Sequence, residues 1–96
     1  MIEKEMKVKN SIFKGIELDL CDGSSLLVIT GRKGYVMCGY LNINTAQKRG
    51  DVACMVTGVK TIEDMLNSRV VALTTKAQNL GISMGMEIKR VLEILA

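Results

Sequence analysis

Apolar and polar positions alternate with a period of two through the first part of the chain. Met6 and Val8 alternate with Lys7 and Lys9, and Ile16, Leu18 and Leu20 alternate with Glu17 and Asp19. This spacing predicts strands with one wet face, the charged residues outward. Cys21-Asp22-Gly23-Ser24-Ser25 has turn chemistry, because Asp-Gly tolerates the positive φ of a tight hairpin. Strands are expected next from Leu26 to Thr30 and from Tyr35 to Leu41, joined by the turn Gly31-Arg32-Lys33-Gly34. Both are apolar on two faces, so the sheet needs cover on both sides there.

After Leu41 the period changes. Asn42 or Asn44 can cap a short helix that stops at Gly50. Val52 to Thr57 reads as another apolar strand, and Gly58 turns the chain into Thr61-Ile62-Glu63-Asp64. There Thr61 is placed to accept the Asp64 amide while the Asp64 carboxylate reaches back, a variant of the capping box. That helix buries Ile62, Met65 and Leu66. The stretch after Arg69 is ambiguous, and we expect a short extended piece followed by a helix ending at Gly81. Met84, Ile88, Val91, Leu92 and Leu95 recur at helical offsets, opposite Glu87, Lys89, Arg90 and Glu93. The predicted fold is α+β: an N-terminal antiparallel β-meander followed by mixed strand and short helices, then a C-terminal amphipathic helix. The sheet is mixed if the strand at Val52 joins in parallel through the first short helix.

Composition sharpens this picture. The 96 residues, expected to form one domain, are 48% hydrophobic but only 3% aromatic, so the core must be aliphatic. So much aliphatic content in a short chain predicts burial against further copies, with the meander, including Val8 and Leu18, as contact surface. The absence of histidine excludes Ser-His-Asp and Cys-His catalysis, imidazole metal sites and a histidine proton switch. The net charge of +3 is dispersed among acids, and stacking aromatics are scarce, which argues against nucleic acid as partner. The three cysteines form neither a disulfide framework nor zinc-ligand spacing. With a charged start and no apolar run approaching the length of a membrane span, the expected location is the reduced cytoplasm, with no membrane partner and no cofactor.

Two places carry candidate chemistry. Cys38 lies in an apolar strand, and Gly39 beside it leaves room for another group to approach the backbone. A catalytic or redox-responsive thiol there needs a cation to stabilise the thiolate, with Lys60 and Arg49 as candidates; the plainer alternative is an inert buried thiol. Lys60 and Thr61, at a helix start, can hold a small anionic ligand on free amides, unless the cap residues already satisfy them. Neither Gly58-Val59-Lys60-Thr61 nor Gly31-Arg32-Lys33-Gly34 has the glycine spacing of a nucleotide-binding loop.

Three stretches in order, Gly34-Tyr35-Val36-Met37-Cys38-Gly39, Gly58 to Leu66 and Leu80 to Met86, resemble the YunC-like family of small bacterial and archaeal proteins, a domain family of unknown function. The resemblance runs from about Ile16 to Leu95. It implies a compact α/β domain over residues 1–96, whose β-rich portion, about 1–41, is associated with homo-oligomer, specifically tetramer, formation. No activity, cofactor or catalytic residue comes with it, and Tyr35, Cys38 and Gly39 carry over as motif positions. A second glycine expected after Gly85-Met86 is replaced by Ile88, which would obstruct a ligand approaching the backbone there.

Overall fold

The computed structural model describes residues 1–20 and 23–96, so Cys21 and Asp22 of the expected hairpin turn lie outside the described residues. Six strands form one sheet in chain order: β1 (Ile2–Val8), β2 (Ser11–Asp19), β3 (Ser25–Thr30), β4 (Tyr35–Met37), β5 (Ala53–Met55) and β6 (Ala72–Leu73). Neighbours are antiparallel except β4 and β5, which are parallel and joined by the crossover helix α1 (Ile43–Arg49). The mixed sheet anticipated at Val52 is therefore present. Asn42 caps α1, its Oδ1 accepting the amides of Asn44 and Thr45 at 2.8 and 3.2 Å, and Gly50 ends it in the left-handed region.

Helices α2 (Ile62–Leu66) and α4 (Ile88–Leu95) bury their apolar sides with one face of the sheet, and α3 (Thr75–Asn79) adds Ala77. That face presents Phe13 of β2, Leu27 and Ile29 of β3, Val36 of β4 and Cys54 of β5, all buried. On the other face α1 covers only the parallel pair, where Ala46 meets Met37 and Ala53. The last helix begins at Ile88, later than the periodicity predicts. Gly85 at φ +80° breaks the run, and Met84 lies exposed in the preceding turn. Ile88 itself is fully buried in the core.

The N-terminal strands correct one reading of the alternation. Register pairs Met6 with Phe13 and Glu17 with Leu27, so Glu17 faces the helices and is only 8% exposed. Ile12, Ile16 and Leu18 face the other way, level with Val28 and Leu26. Ile12 is 63% and Leu18 42% exposed. Ile12, Ile16 and Leu18 of β2 thus lie on the face that α1 covers only at the parallel pair, and they are left uncovered there. Val8, by contrast, is half-buried toward the core, so it does not belong to the same surface as Leu18.

Candidate functional site

The chain leaves β4 toward α1 on one side of the sheet and leaves β5 toward α2 on the other. Between these departures, at the carboxyl ends of the parallel strands, a cleft opens. One cavity of about 230 Å³ is lined by Ser25, Cys38, Gly39, Tyr40, Gly58 and Val59. A second, of about 370 Å³, shares much of that lining and adds Gly23, Ser24 and Lys60. In open α/β sheets this switch point is where ligands bind, because neighbouring connections diverge and leave a crevice.

Cys38 shapes the cleft through an exchange of hydrogen-bond partners. A β-turn starts there, the Leu41 N–H donating to the Cys38 carbonyl at 3.2 Å, which removes that carbonyl from the sheet. The ladder donor left behind, the Leu27 N–H, donates instead to Cys38 Sγ at 3.2 Å, and the Cys38 N–H returns a bond to the Leu27 carbonyl at 3.1 Å. The sulfur thereby satisfies a buried amide. Its residue is 3% exposed. Alkylation of the native protein should therefore be slow at Cys38 and require unfolding, and mass-resolved labelling checks this. Cys38→Ala, which strands the amide, should cost about 1–3 kcal/mol in denaturant titration, whereas Cys38→Ser keeps an acceptor and should cost less. Rapid native labelling, or equal cost for both variants, would contradict the assignment. Cys54 is fully buried, and burial pushes its thiol up to about 12.

The start of α2 is more heavily capped than the sequence suggests. Thr61 Oγ1 accepts the Asp64 amide at 3.0 Å, and Asp64 Oδ2 accepts the Lys60 amide at 3.0 Å. The Ile62 amide donates to Glu17 Oε2 at 2.9 Å, from the strand beneath. These amides are already satisfied, which removes the basis for an anion held by the helix backbone. Thr61 acts as a cap and does not line the cleft, while Lys60 does. Lys60 has no ion-pair partner among the described residues. Glu17 was legible only as an alternating surface acid, since nothing local to β2 announces a helix start forty-five residues away.

Tyr35 and Arg49 lie elsewhere. Tyr35 begins β4, at the end remote from the cleft, and its hydroxyl donates to Asp51 Oδ2 at 2.8 Å. Burial, then the Asp51 carboxylate, hold its phenol above the usual tyrosine range, with Arg49 opposing. Arg49, at the far end of the crossover helix, pairs with the same carboxylate at 3.3 Å, so it is no neighbour of Cys38. No group of the protein crowds Gly39, where a Cβ would make an ordinary 3.5 Å contact with Thr57, so the space beside its backbone is open. The tight glycines are Gly34, where a Cβ would overlap the Val52 carbonyl, and Gly31, where it would overlap the Phe13 ring.

Fold and cleft together define a small α+β domain with a two-sided sheet and a crevice at its one parallel step. The family model for a domain of unknown function (DUF1805) matches residues 37–95, and the chain belongs to that family. It is 33% identical over 67 residues to the uncharacterized protein YunC of Bacillus subtilis, the aligned part spanning 66% of each chain. A crystal structure of a protein of unknown function from Thermoplasma acidophilum superposes with a TM-score of 0.92 at 39% identity, covering 99% of this chain and 92% of that one.

Proposed function

We propose that this protein is a cytoplasmic, homo-oligomeric ligand-binding module, tetrameric as its family resemblance suggests, that takes a small anionic molecule in the cleft between β4 and β5. The observation that carries the reading is the position of the cleft, outside the carboxyl ends of two parallel strands whose connections diverge. Lys60 supplies a cation, Ser25 a hydroxyl, and Tyr40 with Val59 an apolar wall. The larger cavity, about 370 Å³, lies at the small end of the range for metabolite sites. Glycines at 39 and 58 leave its mouth open. Neither nucleic acid nor a membrane is needed as partner, and no helix among the described residues is long and apolar enough to cross one. Oligomerisation is supported by the uncovered face carrying Ile12, Ile16 and Leu18.

A thermal-shift screen with inorganic phosphate, pyrophosphate and phosphorylated or carboxylated metabolites tests the cleft. A ligand at a hundredfold excess over its Kd adds about 2.7 kcal/mol, which raises Tm on the order of 10 °C for a chain of this size. Lys60→Ala should abolish most of the shift. No shift with any anion, or a shift indifferent to Lys60→Ala, would remove the proposal.

A further inference from the structure

We infer that the anion taken in the cleft is the phosphoryl group of a small phosphate monoester, seated on backbone amides of two turns, those of Gly39 and Tyr40 and those of Gly58 and Val59. The inference rests on the reading of the cleft as an anion site and names the group that it takes. Where β4 and β5 end, the Cys38 N–H still donates to the Leu27 carbonyl at 3.1 Å and the Val56 N–H to the Met37 carbonyl at 2.9 Å. Beyond these bonds the turn from Cys38 to Leu41 closes on its own ends, and the N–H groups of Gly39 and Tyr40 have no partner among the described residues. The same holds for Gly58 and Val59, up to the Lys60 amide that Asp64 caps. All four residues line the cleft, and none belongs to the satisfied start of α2. Successive N–H groups in a turn make a concave seat for an anion, and Gly58, at φ +72°, supplies the left-handed step of such a turn.

The side chains fix the sign of the ligand and its class. Lys60 lines the larger cavity, and no carboxylate lines either cavity among the described residues. The Ser25 hydroxyl has no partner among them and is free to donate. No arginine lines the cleft either. A carboxylate is best gripped by the two parallel bonds of a guanidinium, whereas a lysine point charge with bare backbone amides is the usual cradle of a phosphoryl group. A phosphate monoester carries three terminal oxygens and close to two negative charges, so it can use the amides of both turns, the hydroxyl and the ammonium together. Glycine at 39 permits the approach: a Cβ there would meet only the Thr57 methyl, and the space beyond is open. Within about 370 Å³ the phosphoryl group leaves room for a short carbon skeleton against Tyr40 and Val59.

Nuclear magnetic resonance titration of the isotope-labelled protein with inorganic phosphate, glycerol phosphate and glycerate tests the seat. Both phosphates should move the amide protons of Gly39, Tyr40, Gly58 and Val59 downfield along one saturation curve. Glycerate, a carboxylate on a similar skeleton, should bind roughly tenfold more weakly or worse than glycerol phosphate. Gly39→Val, which sets a side chain beside the amides, should weaken glycerol phosphate roughly tenfold or more. Its Tm without ligand should match the wild type, because Gly39 is not left-handed and its Cβ has room; if the variant unfolds, the wild-type resonances still decide. Glycerate binding as tightly as glycerol phosphate, and lost with Lys60→Ala, would keep the anion site and overturn the phosphoryl assignment. Saturable phosphate binding that leaves the four amides unmoved, or a folded Gly39→Val protein that binds like the wild type, would overturn the amide seat. Tighter binding to vesicles containing phosphatidic acid than to glycerol phosphate would give the phosphoryl group to a lipid and overturn the small ester. No binding by any anion would remove the cleft reading and this inference with it.

Discussion

Leu18→Asp should abolish the proposed contact between copies through the part of the sheet that α1 leaves uncovered, raising its dissociation constant on the order of a thousandfold. Leu18 projects from β2 on the side opposite α2 and α4, at 42% exposure, beside Ile16 and across from Leu26. In an isolated subunit a carboxylate there is solvated and costs little. In an apolar contact with a second copy it is stripped of water without a partner, and two-fold symmetry repeats the penalty. Sedimentation velocity should show a smaller species than the wild type, with an unchanged far-ultraviolet spectrum. Val8→Asp should behave differently, lowering stability, because Val8 faces the core. If Leu18→Asp sediments like the wild type, the face is not a contact.

Phe13→Ala should cost about 3–5 kcal/mol, a large part of the ~5–14 kcal/mol that a chain of this length has to lose. Phe13 is fully buried, paired with Met6 and stacked over the turn beyond β3, where its ring fills the place a side chain at Gly31 would take. Gly31→Ala alone should cost about 1–3 kcal/mol by overpacking against that ring. Combined with Phe13→Ala it should cost much less, since the obstructing ring is gone. Strict additivity in denaturant titrations would show that Gly31 is needed for its backbone rather than for the space above it.

Local chemistry made the helices of the middle section readable. Asn42 with Gly50, and Thr61 with Asp64, bracket or open their helices with short-range hydrogen bonds, and such signals do not depend on the rest of the chain. The strands were readable as strands, but the sides they present were not. Alternation in β2 points its aliphatics inward only if the acid between them prefers water. Glu17 prefers the Ile62 amide, a partner supplied by tertiary structure. The cleft was half visible: Cys38, Gly39 and Lys60 were singled out from motif and charge. Ser25, Tyr40 and Val59 were not, because they become neighbours only once β3, β4 and β5 lie side by side. Tyr35 shares a motif with Cys38, yet the strand between them sends the two residues to opposite ends.

Glu17 and Leu18 are consecutive, and the strand pleat turns one toward the start of α2 and the other toward the uncovered face. No second layer separates these surfaces; a single peptide plane does. Substitutions at 17 and 18 therefore act on opposite sides of one strand, the first on the seating of α2 and the second on the proposed contact between copies.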